Sequence, residues 1–185
     1  KTDINNVLLH IGTDTNGHIW AAIAGDRLSV NGNSYIDFEF LQNTLTQTTN
    51  GGFASTGPHG GRTVNDLLLS LAFSGGGNVA EFFAWKWETN SSGGFEYVDV
   101  TASLPADRIF AALNTNSVAV PWRAFDHTNY PPFAFAEAIV DLTVLVGNFD
   151  PCRSIGFKTI MVKTKASQSV SAGVEDFVEP IQYTF

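Results

Sequence analysis

Ser34-Tyr35-Ile36-Asp37-Phe38-Glu39-Phe40-Leu41 is the stretch whose reading decides the fold. Ile36, Phe38 and Phe40 alternate with Tyr35, Asp37 and Glu39. Successive side chains of a strand point to opposite faces, so this period-two pattern predicts a half-buried strand with Asp37 and Glu39 on its solvent side. The turn cluster Asn31-Gly32-Asn33-Ser34 leads into it.

Upstream, the apolar runs Val7 to Ile11 and Ile19 to Ala24 flank Asp14-Thr15-Asn16-Gly17, which predicts a hairpin with a longer loop. Downstream, residues 44 to 63 are rich in Thr, Gly, Asn and Ser and read as a long loop, a kind of segment that is usually functional or mobile. Leu67, Leu69, Leu71 and Phe73 share one strand face. A helix starting at Thr63 with Asp66 at its third position is the rival reading, and Gly75-Gly76-Gly77 stops the run too early for it. Val79 to Glu88 and Phe95 to Val100, joined by Asn90-Ser91-Ser92-Gly93-Gly94, form the clearest hairpin, with Phe83, Trp85 and Trp87 on one face.

Residues 103 to 132 hold Pro105, Pro121, Pro131 and Pro132 and read as irregular, with a short helical turn at Ala106 to Leu113. Phe133 to Leu142 alternates, and a helical turn follows at Thr143 to Val146. Asp150-Pro151-Cys152 reads as a turn, Ile155 to Lys165 as a strand whose lysines suit an edge or solvent face, and Asp176 to Thr184 as the last strand. About nine or ten strands without alternating long helices predict one all-β domain over 1–185. Two antiparallel sheets would pack as a jelly-roll or Greek-key-like sandwich with a few short helical turns.

Composition agrees: 44% hydrophobic and only 15% charged residues, with 15 Phe and 17 Gly, describe strands joined by turns. A net charge of −8 repels phosphate backbones and argues against a nucleic-acid partner. No apolar run approaches the ~18 residues of a membrane span, so no membrane insertion is expected. The start Lys1-Thr2-Asp3 suggests a processed or trimmed chain. Cys152 is the one cysteine, either a buried thiol or half of a bridge to a segment outside this sequence.

Asp14-x-Asn16-Gly17 has the shape of a calcium-loop fragment, which makes Asp14 and Asn16 candidate ligands for Ca2+. An ordinary Asn-Gly turn is the simpler reading. Trp20, Trp85 and Trp87 are expected to fill the core. Trp122 and Tyr130 sit in Pro-rich loop sequence with His127 and Asn129 nearby, and these four are the candidate ligand-binding residues. His10, His18, His59 and His127 show no metal-ligand spacing, and no Gly-x-Ser-x-Gly elbow occurs.

Ile36-Asp37-Phe38-Glu39 resembles part of the strand motif of laminarinase-type retaining glycosidases, which need two carboxylates about 5 Å apart. The family's leading Glu falls at Tyr35, so the pair is broken and a degenerate enzyme is the third-ranked function. Other stretches are Ser34 to Asn43, Thr56-Gly57-Pro58-His59-Gly60-Gly61-Arg62-Thr63, Asp150-Pro151-Cys152, Val162 to Ser169 and Glu175-Asp176-Phe177-Val178-Glu179-Pro180. Together they resemble a β-sandwich module of large Bacteroidota surface proteins, linked to type IX secretion, gliding or adhesion. That resemblance implies an extracellular, cell-surface location and a non-catalytic structural or adhesive role. The implied partner is a glycan or a neighbouring module. A calcium-dependent carbohydrate-binding module is the alternative.

Overall fold

In the computed structural model, which describes residues 2–147 and 156–183, the expected first hairpin pairs Val7–Thr13 (β1) with Ile19–Asp26 (β2). Ser34–Leu41 is β3, and the long loop that follows contains a small hairpin, Leu45–Gln47 (β4) and Phe53–Ser55 (β5). Leu67–Ser74 (β6) is a strand, not the rival helix. The next hairpin is Val79–Thr89 (β7) with Phe95–Asp99 (β8). Residues 103 to 132 are more ordered than their prolines suggest. The helical turn stops at Ala106–Arg108, and Ile109–Leu113 (β9), Val118–Ala124 (β10) and His127–Tyr130 (β11) are strands. Phe135–Asp141 (β12) runs into the helical turn Leu142–Val146 (α1), capped by Asp141, whose carboxylate accepts from the Thr143 amide. Thr159–Lys165 (β13) and Asp176–Gln182 (β14) complete the fold. The turn expected at Asp150-Pro151-Cys152 lies outside the described residues, and so does Cys152 itself.

All pairings are antiparallel. The chain is an all-β sandwich of a four-stranded sheet, β1-β2-β12-β9, and a six-stranded sheet, β14-β13-β3-β6-β7-β8, with the β10-β11 and β4-β5 hairpins added. The core between the sheets takes one side-chain set from each. Ile19, Ala21, Ile23, Ala136, Ala138 and Val140 come from the small sheet, and Ile36, Phe38, Phe40, Leu69 and Leu71 come from the large one. The sheets come close at Gly25, where a Cβ would sit 2.6 Å from the Ile36 side chain.

Two expectations about the large sheet are corrected. All of β3 is buried, so its polar face does not meet solvent: Asp37 and Glu39 are sealed by the long side chains of Arg62, Lys163 and Lys165. β13 is an interior strand between β14 and β3, and Lys165 is buried. An interior strand presents its lysines to whatever lies on the same face, and here that is a row of carboxylates.

Candidate functional site

Strand alternation decides which residues share the outer face of the large sheet. Lys163 lies beside Asp37 and Ser70, and the next row holds Met161, Glu39, Leu68 and Trp85. Trp85 and Trp87 are on this face, so they do not fill the core between the sheets as expected. Lys165 Nζ stands 2.7 Å from Asp37 Oδ2 and 5.3 Å above the Trp85 ring. The approach is off-axis, an ion pair without an aligned hydrogen bond, and both Asp37 oxygens and the Ser70 hydroxyl lack an aligned partner. Burial pushes the Asp37 carboxyl above its ordinary value despite Lys165.

Glu39 is held differently. Its Oε1 accepts from Arg62 Nη2 at 2.7 Å, from Lys163 Nζ at 3.1 Å and from the Tyr97 hydroxyl at 3.3 Å. Burial alone would raise this carboxyl, but Lys163 and Arg62 outweigh burial and hold it below the usual range. Burial and the Glu39 charge push the Tyr97 phenol up. Arg62 arrives on the Gly57-Pro58-His59-Gly60-Gly61 loop, which only glycine can close: a Cβ on Gly57 would lie 2.3 Å from the Gly61 carbonyl carbon. His59 stacks on Phe95 at 3.7 Å and bridges back to Arg62. The guanidinium, 5.2 Å from the Trp87 ring and 5.1 Å from the Tyr97 ring, is thereby fixed. Beside Glu39 a groove of about 570 Å³ opens between this sheet face and the β4-β5 hairpin. Asp37 is sealed and Glu39 is held ionised, so the two carboxylates do not divide into a reachable acid and a reachable base.

The outer face of the small sheet is of another character. Its central rows are His10, Ala22, Ile139 and Phe110, then Leu8, Ala24, Glu137 and Ala112. Ala22 and Ala24 on β2 and Ala112 on β9 leave a trough of about 680 Å³ walled by Leu8, Phe110, Ile139 and Trp122. Phe110 is 55% exposed and Trp122 41%. At one end the β10-β11 hairpin is packed on the sheet through Ala124, Tyr130 and Ala134. At the other end lie Trp20 and Asp14.

The sequence-predicted ligand residues scatter over that hairpin. Trp122 stands at the trough's rim. Tyr130 is buried, stacks on Phe135 at 5.1 Å and donates its hydroxyl to Asp26 at 2.7 Å, so it fastens the hairpin and presents no free ring face. Burial and the Asp26 carboxylate push this phenol up to about 12. His127 and Asn129 are exposed and line a shallow hollow with Ser117 and Pro131. Asp14 is at the trough's far end, where its Oδ1 accepts from the Asn16 and His18 amides and its Oδ2 accepts from Trp20 Nε1. Asn16 takes part through its backbone as the first of those donors. Among the described residues no group of three or more His, Cys, Asp or Glu could hold a metal ion.

As site residues, Arg62, Lys163, Leu8 and Phe110 went unnoticed in the sequence. Lys163 was legible as a polar residue on an alternating strand. Arg62 carried only the signal of following a glycine-rich loop, and nothing local ties either one to Glu39. No helix among the described residues is long and apolar enough to cross a membrane. Comparison of the chain with protein-family models, with curated proteins and with solved structures finds no match in any of the three.

Proposed function

We propose that this chain is a non-catalytic structural or adhesive module of a bacterial surface protein, and that it joins a second copy of itself through the edges of its four-stranded sheet. The observation that carries this reading is a difference between edges. β1 (VLLHIGT) and β9 (IFAAL) contain no Asp, Glu, Lys, Arg or Pro and pair with their single neighbours without a bulge. The edges of the large sheet are guarded: β8 carries Glu96 and Asp99, and β14 carries Asp176, Glu179, Pro180 and a register shift. Sheets ordinarily blunt their edges with such devices, because unpaired N–H and C=O groups recruit another strand.

Strand direction supports a second copy as the partner. The four strands alternate in direction, so β9 of one copy lies antiparallel to β1 of another held in the same orientation. Repeating that contact builds an open head-to-tail array, the geometry of a filament. Sedimentation velocity over a concentration series tests it. The wild type should self-associate, and Leu8→Lys, on the outward side of β1, should remain monomeric with an unchanged melting temperature. A wild type that stays monomeric up to its solubility limit would sink the reading.

A calcium-dependent carbohydrate-binding module is the second reading, favoured by the exposed Trp122 ring at the trough's rim. A glycan array run in calcium and again in EDTA separates the two.

A further inference from the structure

We propose that the groove beside Glu39, on the face of the large sheet that self-assembly leaves open, binds a carboxylated sugar residue such as a hexuronate. The groove is a built site. Its floor carries Glu39, 3% exposed, whose Oε1 takes three donors, while Oε2 has no partner among the described residues. Lining the same groove are Arg62, whose Nη1 has no partner among the described residues, and Lys163, whose ammonium has protons to spare beyond Glu39. The opposite wall is apolar: Leu45, Met161, Val174 and the Phe53 ring, which is 39% exposed. Phe53 is held edge-on against Phe177 with the ring centroids 5.2 Å apart.

Three features select the ligand class. One polar side and one apolar side match a pyranose, which has a hydroxyl rim and an apolar ring face. Glu39 Oε2 accepts from a hydroxyl, and Arg62 and Lys163 donate to an oxygen anion. The charged lining residues are two cations and one carboxylate, an excess of one positive charge that a ligand carboxylate neutralises. Asp66, behind Arg62, is buried, does not line the groove, and has its oxygens taken by Thr63 and Gln42. The volume of about 570 Å³ lies within the range of small-ligand sites.

The test is isothermal titration of the whole chain with digalacturonate and with the neutral disaccharide of the same linkage. NMR shift mapping locates whatever binds. The acidic sugar should bind at least about tenfold more tightly, with shifts centred on Phe53, Met161 and Val174. Lys163→Met should abolish the preference while its melting curve shows it folded. Phe53→Ala, outside the ionic cluster, should weaken binding and leave the preference intact. Equal binding of the neutral sugar, preferential binding of a zwitterion such as free leucine, shifts confined to the small-sheet trough, or no binding of digalacturonate at high concentration would each overturn the proposal. None of these outcomes depends on self-association, so this site and the edge interface stand or fall separately.

Discussion

At the scale of single residues, this sandwich buries charged side chains, among them Arg27, Asp37 and Lys165. Arg27 is buried with no carboxylate partner among the described residues: it donates to the carbonyls of Val30, Gly32, Gly77 and Phe133 and lies 4.2 Å over the Phe73 ring. Burial lowers its pKa to about 10. The Asp37–Lys165 pair is the sharper test of how such charge is tolerated. Removing one member leaves the other buried and uncompensated, which costs about 3–5 kcal/mol, while replacing both by apolar residues of similar size is often neutral. Chemical denaturation should therefore find Lys165→Met strongly destabilised and the Asp37→Leu/Lys165→Met double variant close to wild type. A double variant as unstable as the single would mean that the pair itself holds the sheet face together.

Glu39 predicts a pH dependence whose sign is determined. Its folded carboxyl sits below the ordinary 4.5, so its contribution is complete above pH 4.5 and drains away as pH falls through the lower folded value. Asp37 acts oppositely: its carboxyl is raised above 3.8, so its ionisation weakens the fold as pH rises from 3.8 through the folded value. The stability gap between wild type and Glu39→Gln should narrow as pH drops below 4.5, read from denaturation midpoints. A gap that stays constant down to pH 3 would remove Glu39 from the account.

At the scale of elements, the sequence was legible where periodicity is local and illegible where a partner is remote. The β1-β2 and β7-β8 hairpins, β3, β6 and α1 followed from alternation and turn residues. Asp37 and Glu39 were correctly placed on one face, but which face is covered depends on β13 and the Arg62 loop, far away in the chain. The same gap hid the two lysines, because a strand's alternation does not reveal whether it is an edge or an interior strand. Gly and Pro in the surrounding sequence masked β4, β5, β10 and β11, and β9 was absorbed into the helical turn expected at Ala106 to Leu113. The Tyr130 hydroxyl on Asp26 and the Asn5 side chain accepting from the Phe125 amide hold the β10-β11 hairpin down. Of the candidate sites, Trp122 was visible as a loop aromatic. The Glu39 groove was visible only as an oddly acidic strand.

At the scale of the whole molecule, the two sheets differ in edges and outer faces. The large sheet has guarded edges and an ionic, grooved outer face. The small sheet has edge strands without Asp, Glu, Lys, Arg or Pro, β9 lying close to β7, and an apolar outer face broken mainly by His10 and Glu137. A module built to repeat would keep its joining surface apart from its ligand-reading surface in this way.

Amide hydrogen exchange measured at low and at high protein concentration tests the joining surface most directly. If copies join edge to edge, the outward amides of β1 and β9 gain protection as concentration rises, while those of β8 and β14 do not change. Self-association that leaves β1 and β9 unprotected, or that protects β8 or β14 instead, would contradict the account.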